Sequence, residues 1–523
     1  MIYRSPFPDV EIPEVSFHDH VFENADRWLN KPALIDGPSD RTLTYGQLRS
    51  AVRATAAGLA ARGFGKGDVF AIYSPNLPEY AIVFFGVAAA GGINTTINPL
   101  YTASELNRQL NDSGAKFLVT IPQFLDKART AVVGTAVEEV FVFGEADHAT
   151  PFTSLLSSAA PPDVTIETRN DLVALPYSSG TTGLPKGVML THHNLVANVV
   201  QTDRVERLTE KEVMIGILPF YHIYGMVCLM SGALRVGATI VTMPRFDLEQ
   251  FLSLIEKHKV TMGYIVPPIV LALAKHPAVE NYDLSTLKDV LSGAAPLPEP
   301  VARACAERNN LSVRQGYGLT ETSPVTHFNP RDHEIKLASV GPAAPSTRYR
   351  VIDVSTGKDA SPGELGEIWI EGPQVMKGYL NNPDATQAMI DQDGWLHTGD
   401  IGHADEDGYL YVVDRVKELI KYKGMQVAPA ELEAVVQSHP AVADAAVIPS
   451  PDIEAGEVPK AFVVVKPEMS VSADEIMSHV AERVAPHKKV RRVEFIDEIP
   501  KVPSGKILRR QLVERERAAT GNS

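Results

Sequence analysis

The chain alternates short apolar runs with segments of helical periodicity, and this alternation limits the possible folds more than any other feature. Between about residues 44 and 120, two segments have helical periodicity, LTYGQLRSAVRATAAGLAARG and LPEYAIVFFGVAAAG. Each is followed by a short strand, DVFAIYSPN and AKFLVT respectively. Further strands of the same kind are GATIVTM, VTMGYIV and DVLSGA. Because parallel strands need long crossover connections, the pattern predicts an α/β fold with mostly parallel sheets covered by helices.

The pattern changes in the last third of the chain. After about residue 340, strand-rich segments are separated by turn residues, which predicts an antiparallel β subdomain over about 340–416. From residue 417 onward, strands alternate with short helices, which predicts a small α+β domain. We therefore expect a large N-terminal domain over 1–416 and a C-terminal domain over 417–523.

Charge and cysteine content exclude several classes of protein. With 49 basic and 64 acidic side chains, the net charge is −15, which argues against a nucleic-acid partner. Cys228 and Cys305 are too few for a disulfide framework, as in proteins of a reducing compartment. The N-terminus lacks the pattern of a signal peptide, and no uncharged run reaches the ~18 residues of a membrane span. We expect a cytoplasmic protein without a membrane span.

The segment YSSGTTGLPKGV, residues 177–188, carries the strongest chemical signal. Its glycines allow successive backbone N–H groups to converge on an anion, and its hydroxyls and lysine suit phosphate oxygens. It is not a Walker A loop, because that pattern requires a glycine directly before the lysine, and this chain has Pro185 at that position. The residues predicted to hold a nucleotide phosphate are Ser178, Ser179, Gly180, Thr181, Thr182, Gly183 and Lys186.

This loop resembles the signature of the adenylate-forming superfamily, which includes acyl-CoA synthetases, luciferases and peptide-synthetase adenylation domains. Further segments resemble the superfamily in order and spacing: PFYHIYG, SGAAPL, QGYGLTE, GWLHTGD, VDRVKELIKYKG and PSGK. The chain looks most similar to the 4-coumarate:CoA ligase type. The resemblance implies that an acid attacks the α-phosphate of ATP, giving an acyl adenylate and pyrophosphate, and that coenzyme A then takes the acyl group.

The resemblance also implies roles in the first half-reaction. Lys506 would be catalytic, reaching between the carboxylate and the α-phosphate, where a cation offsets concentrated negative charge. Glu321 would hold Mg²⁺. Tyr317 would stack on adenine, and Asp400 with Arg415 would bind the ribose hydroxyls. The full set of further residues expected at ATP or AMP is Gln315, Gly316, Tyr317, Gly318, Thr320, Asp400 and Arg415.

The second half-reaction needs a thiol at the same carbonyl carbon, whose neighbourhood Lys506 occupies in the first. The resemblance implies that the small domain rotates as a mobile lid about a hinge at Lys417. Catalytic Lys421 would then face the site, and Lys423 with Gly424 would line the path of coenzyme A. His222 would also be catalytic, as the gate residue beside the carboxylate and the pantetheine tunnel.

Residues expected at the acyl group are neutral and mostly small, which suits an apolar or aromatic acid. They are Tyr224, Cys228, Leu291, Ala294, Gly316, Pro324 and Val325. An α-amino acid is disfavoured, because the segment PFYHIYG has no acidic partner for an ammonium group. We predict a ligase for an aryl acid such as a hydroxycinnamate. The alternatives are a medium- or long-chain fatty acyl-CoA synthetase, a luciferase-like monooxygenase and a non-catalytic nucleotide sensor.

Overall fold

The computed structural model describes residues 1–178, 185–415, 418–422, 425–452, 455–484, 486–502 and 505–520. Within these ranges, two largely parallel sheets and an antiparallel sheet precede a small α+β C-terminal domain. The predicted fold class is therefore confirmed. Residues 416 and 417 lie outside the described ranges, so the exact domain boundary and the hinge stay predictions.

The first sheet is parallel at its centre and antiparallel at the edge that carries the predicted phosphate loop. Every predicted strand between residues 69 and 120 forms part of it. In spatial order its strands are Tyr177–Ser178, Lys186–Thr191, Leu172–Ala174, Ile93–Thr96, Val69–Tyr73, Phe117–Thr120, Glu139–Val142 and Thr150–Pro151, with Gly378–Tyr379 also paired to Lys186–Thr191.

The second sheet is parallel except at its two edges. In spatial order its strands are Val325–Phe328, Ser312–Gly318, Asp289–Ser292, Met262–Ile265, Val213–Gly216, Thr239–Thr242, Pro32–Asp36 and Thr42–Thr44. Tyr264, Leu291 and Arg314 are in register on neighbouring strands. Residues in register point to the same side of a sheet, so these three side chains share one face.

The third sheet is antiparallel, as predicted for the region after residue 340. Its strands are Tyr3–Arg4, Arg348–Ile352, Gly366–Glu371, Leu396–Ala404 and Leu410–Arg415. The short N-terminal strand, which the sequence analysis did not predict, pairs with Arg348–Ile352. Tyr3 and Tyr349 stack there with ring centroids 4.8 Å apart, which explains why so short a strand is held.

The C-terminal sheet contains the strands Met425–Val427, Ile420–Tyr422, Gly456–Val465, Val442–Asp452 and Arg492–Phe495. Gly456–Val465 and Arg492–Phe495 run parallel and are joined through a helix, as a βαβ unit requires. Buried apolar side chains of this sheet and its helices form a cluster of their own. This separate core explains why the region folds as a distinct small domain.

Helices cover both large sheets and both sides of the C-terminal sheet. They are Phe17–Phe22, Tyr45–Ala61, Pro78–Ala89, Ala103–Ser113, Leu125–Ala131, His192–Glu206, the π-helix Tyr224–Ser231, Gly232–Arg235, Leu248–His258, Pro267–Lys275, Glu299–Asn309, Pro383–Met389, Pro429–Gln437, Ala473–Ala481 and Arg509–Thr520, with short 3₁₀ turns between them. Among the described residues, none of these helices has the length and apolar character needed to cross a bilayer.

A fully buried arginine lies in the core between the second sheet and the helix His192–Glu206. The Arg314 guanidinium donates two hydrogen bonds to Glu206, at 2.6 and 2.9 Å, and two to Asp289, at 2.9 and 2.7 Å. Arg331 Nε donates to Asp289 Oδ2 at 2.7 Å, and this oxygen is also one of the two that accept from Arg314. These charges tie two strands to the covering helix, and each needs its partners because unpaired buried charge is costly.

We predict that Arg314→Met lowers the free energy of unfolding by about 3–5 kcal/mol, because Glu206 and Asp289 lose their shared partner. The midpoint of denaturant unfolding measures the change. The control is Arg303→Met, which removes an exposed pair with Glu299 on a helix surface and is expected to shift the midpoint little. Equal midpoints for the two variants would show that the buried cluster contributes no net stability.

Candidate active site

The ends of the predicted phosphate loop are held together by a short antiparallel pair. Ser178 pairs with Lys186 across the two strands, which brings the serine hydroxyl and the lysine to one edge of the first sheet. The Ser178 hydroxyl donates to Glu321 Oε1 at 2.8 Å, and Lys186 Nζ lies 4.6 Å from the centre of the Tyr379 ring. Both residues therefore face the predicted metal ligand. Ser179, Gly180, Thr181, Thr182 and Gly183 lie outside the described residues.

Glu321 is buried in a 3₁₀ turn, Thr320–Thr322, that follows the strand Ser312–Gly318. Its Oε1 accepts a second hydrogen bond, from the Tyr379 hydroxyl at 2.8 Å. Thr320 begins the same turn and is half-buried beside it. The carboxylate is thus fixed at the carboxyl end of a parallel strand, where ligands of α/β sheets commonly bind.

Tyr317, Asp400 and Arg415 come together although they are distant in sequence. The Tyr317 hydroxyl donates to Asp400 Oδ2 at 2.6 Å, and Arg415 forms an ion pair with Asp400, with Nε 3.1 Å from Oδ1. Asp400 and Arg415 are cross-strand neighbours in the third sheet. Burial raises the pKa of Asp400, while Arg415 and Tyr317 oppose that rise.

The glycines around Tyr317 bring the backbone close to neighbouring chain segments. A Cβ on Gly318 would lie 2.0 Å from the carbonyl oxygen of Pro324, so only glycine fits there without a shift of the backbone. At Gly316 the nearest atom, Phe328 Cβ, would be 3.3 Å away. The Gln315 side chain is held by backbone groups, accepting from the Leu297 N–H and donating to the Leu297 carbonyl.

His222 lies two residues before the π-helix Tyr224–Ser231, and its side chain is partly accessible to solvent. The backbone N–H of Tyr224 donates to His222 Nδ1 at 3.3 Å, which leaves Nε2 as the protonated nitrogen of the neutral ring. Desolvation by the surrounding protein, followed by the charge of Lys506, lowers the pKa of His222. The ring is therefore favoured in its neutral form.

Lys506 belongs to the C-terminal part of the chain but lies against the larger domain. The turn before it packs so tightly that a Cβ on Gly505 would lie 2.6 Å from Pro268 Cγ, at the start of the helix Pro267–Lys275. Lys506 is half-buried, and burial together with the charge of Arg415 lowers its pKa. The charge of Asp400 favours the ammonium form. The structure thus brings Lys506 to His222 and Asp400.

Of the C-terminal residues predicted to serve the second half-reaction, Lys421 is the one within the described ranges. Lys421 is exposed on the strand Ile420–Tyr422, and its backbone N–H donates to Glu457 of the same small domain at 2.7 Å. Lys417, Lys423 and Gly424 lie outside the described residues. Their predicted roles at the hinge and along the coenzyme A path remain predictions.

The residues predicted for the acyl pocket lie between the π-helix and the second sheet. Tyr224, Cys228 and Leu291 are buried with small exposed fractions, and the Tyr224 hydroxyl donates to the Leu291 carbonyl at 3.0 Å. Because the Tyr224 hydroxyl donates its proton in this bond, it can only accept a hydrogen bond from a substrate hydroxyl. Ala294 differs in being exposed, at a left-handed φ of 70°. Pro324 and Val325 are buried beside Gly318.

Several residues at the site were not among the sequence predictions. Tyr379 contacts both Glu321 and Lys186. Pro268 packs against Gly505, the residue before Lys506. Tyr264 packs against the Tyr224 ring at 5.9 Å between centroids. Their signals were weak, because tyrosine and proline in apolar segments are equally typical of ordinary cores. Within the described ranges, no three His, Cys, Asp or Glu side chains come together in a group that could hold a metal ion.

The comparisons with known proteins agree with this geometry. A family model described as AMP-binding enzyme matches residues 21–380, and one described as AMP-binding enzyme C-terminal domain matches residues 431–506. The 4-coumarate–CoA ligase 1 of Solanum tuberosum is 44% identical over 535 residues, covering 100% of this chain and 98% of that protein.

Two solved structures share the whole architecture. An anthranilate CoA ligase in complex with anthranoyl-AMP is 28% identical, with a TM-score of 0.89 over 98% of this chain and 99% of that chain. ATP-bound MatB from Rhodopseudomonas palustris is 30% identical, with a TM-score of 0.88 over 96% of this chain and 99% of that one. Given the family model that spans most of its length and a relative similar from end to end, the chain belongs to the family of AMP-binding enzymes.

Proposed function

We propose that the protein is an ATP-dependent, AMP-forming acid:CoA ligase whose substrate is an aryl acid, with a hydroxycinnamate as the first choice. The observation that carries this proposal is the position of Lys506 beside Asp400 and His222 of the larger domain. A cation at that point is what the attack of a carboxylate on a polyphosphate needs, since negative charge concentrates there in the transition state. The identity to 4-coumarate–CoA ligases along the full chain supports the same reaction.

In the first half-reaction each group would have one task. Asp400 would accept hydrogen bonds from the two ribose hydroxyls, with Arg415 holding the carboxylate in place. Tyr317 would lie against the adenine ring, oriented by its bond to Asp400. Ser178 and Lys186 flank the loop that would surround the phosphates. Lys506 would then stabilise the charge that develops as the acid oxygen bonds to the α-phosphorus and pyrophosphate departs.

The environment of Glu321 fits a single-carboxylate anchor for Mg²⁺. Its carboxylate is buried and fixed by Ser178 and Tyr379, and it faces the phosphate loop. Magnesium commonly takes one or two protein carboxylates and completes its shell with phosphate oxygens and water. When bound, the ion would reduce the negative charge of the phosphates that the acid must approach.

In the second half-reaction the thiol of coenzyme A would attack the acyl carbonyl and AMP would leave. Because Lys506 would occupy the same neighbourhood in the first half-reaction, the C-terminal domain would have to move, with Lys417 as the hinge and Lys421 turned towards the site. Lys423 and Gly424 would then border the pantetheine path. A cytoplasmic location remains part of this proposal.

The proposal predicts AMP release only when acid, ATP and coenzyme A are all present, with cinnamates preferred over benzoates and fatty acids. A panel of these acids, with acyl-CoA identified by mass spectrometry, measures the reaction and the preference together. Light emission with a luciferin but no thioester would favour a luciferase-like monooxygenase. Absence of acid-dependent pyrophosphate exchange for every acid would favour a nucleotide sensor.

We predict that Lys506→Ala lowers acid-dependent pyrophosphate exchange by about 100-fold or more, because the developing charge loses its cation. The conversion of a synthetic acyl adenylate to the CoA thioester should stay within a few-fold of the wild-type rate, since the lysine acts only in the first step. Stopped assays of the two half-reactions measure the two effects separately.

The matched control for that experiment is Lys501→Ala. Lys501 lies on the same C-terminal segment but pairs with Asp444 of the small domain at 2.6 Å, away from the cleft. It should leave both half-reactions near the wild-type rate. Equal loss of both half-reactions in the Lys506 variant would contradict the assigned role.

A further inference from the structure

The segment 376–380 connects the predicted metal ligand to the strand that follows the phosphate loop. At one end, the backbone N–H of Met376 donates to the Glu321 carbonyl oxygen at 2.8 Å. Two residues later, the strand Gly378–Tyr379 pairs with the strand Lys186–Thr191. Both connections use backbone groups, so the segment fixes the distance between the turn that carries Glu321 and the base of the loop.

Tyr379 has little freedom to move within this segment. Its backbone N–H donates to the Thr386 hydroxyl at 2.9 Å, on the helix Pro383–Met389. A Cβ on the preceding Gly378 would lie 2.8 Å from Thr386 Cγ2, so the strand runs close against that helix. Tyr379 is 5% exposed. Packing and backbone contacts together therefore hold its ring in one place.

The Tyr379 side chain contacts two opposite charges with two different parts. Its hydroxyl donates to Glu321 Oε1 at 2.8 Å, and its ring lies under the ammonium of Lys186, with 4.6 Å between Nζ and the ring centre. A carboxylate accepts from a hydroxyl, and the face of an aromatic ring attracts a cation. Within the described part of the chain, Lys186 and Glu321 form no ion pair with each other. One neutral side chain thus contacts both charges while they stay apart.

The two oxygens of the Glu321 carboxylate are used unequally. Oε1 accepts from the hydroxyls of Ser178 and Tyr379, both at 2.8 Å. Oε2 accepts no hydrogen bond from a residue of the described ranges. Neutral donors leave the carboxylate its negative charge, whereas an ion pair with a lysine would offset that charge at the place where a divalent cation binds. The arrangement therefore leaves one oxygen of the carboxylate available to a cation.

Lys186 and Glu321 would attract each other if the ring were absent. Ser178 pairs with Lys186 across the base of the loop and also donates to Glu321, so the lysine and the carboxylate lie at the same edge of the sheet. A lysine ammonium is carried on a flexible four-carbon stem, which can turn towards a nearby anion. In a partly buried site, such a pair is held more strongly than in water. It would compete with ATP for the lysine and with Mg²⁺ for the carboxylate.

We propose that Tyr379 is a positioning residue that separates Lys186 from Glu321, so that the lysine stays available to the phosphates of ATP and the carboxylate to Mg²⁺. This inference rests on the proposed function, because the nucleotide and the metal belong to the first half-reaction. Tyr379 contacts neither of them on this account. It acts through the two charged residues whose pairing it prevents.

The test measures binding by titration calorimetry, without acid or coenzyme A. The dissociation constant of ATP is determined with Mg²⁺ and with EDTA, and their ratio gives the gain in affinity that the metal provides. Tyr379→Leu should lower this gain by ~10-fold or more, because Lys186 then pairs with Glu321. Tyr379→Phe keeps the ring and should stay within ~3-fold of the wild-type gain, since Ser178 still donates to Glu321.

Two further measurements separate this role from a structural one. The affinity for AMP should change little in either variant, because the proposed contacts of AMP lie at Tyr317 and Asp400, whereas a loss of fold would lower it as well. Lys186→Met added to Tyr379→Leu should restore part of the metal-dependent gain, because it removes the lysine that had paired with Glu321. A purely structural defect would not be relieved by a second substitution. Should the leucine variant not bind AMP, Tyr379→Met provides the same comparison with more of the ring volume filled.

The matched control is Tyr45→Leu, since Tyr45 is also buried and its hydroxyl donates to the Ala238 carbonyl, in a helix that carries no residue of the site. The control should leave the metal-dependent gain unchanged even where it lowers stability. An unchanged gain in Tyr379→Leu, an equal loss in Tyr379→Phe, or no restoration by Lys186→Met would overturn the inference. Absence of a CoA thioester for every acid, with the binding results as expected, would overturn the proposed function alone.

Discussion

The approach of the Lys506 charge to a site built by another domain is the interaction on which the account depends. The lysine is half-buried beside Arg415, a second cation, and it is offset by Asp400 and Glu418. Burial and the like charge of Arg415 outweigh this offset, so the pKa of Lys506 is lowered. A nucleotide phosphate with an attacking carboxylate would add further negative charge, which favours the ammonium form when the substrates are bound.

The rest of the fold places groups where this charge can act on them. Tyr317 and Glu321 follow the carboxyl end of a parallel strand, and Asp400 is presented by the antiparallel sheet, so three sequence regions meet at one point. On the second sheet, Tyr264, Leu291 and Arg314 lie side by side, so aromatic, apolar and ionic side chains share one face.

Much of this was predictable from the sequence, because the signals were local. Strand and helix periodicity gave the α/β fold, and the residues from Ser178 to Lys186 indicated phosphate chemistry by their composition alone. The short N-terminal strand was missed because Tyr3–Arg4 has no periodicity, and only its partner strand defines it. The position of Tyr264 at the site was missed for a similar reason, since its partner Glu206 is 58 positions away in the sequence. Arg314, at a buried position of the strand Ser312–Gly318, was a local sign of the buried cluster.

The most direct test is a crystal structure of the protein with a non-hydrolysable analogue of an aryl acyl adenylate. The account predicts the ribose hydroxyls on Asp400, adenine against Tyr317, Lys506 Nζ within hydrogen-bond distance of the group that replaces the phosphate, and the aryl ring between the π-helix and the second sheet. An analogue bound in this cleft with Lys506 remote from it, and with the ring directed away from the second sheet, would contradict the account.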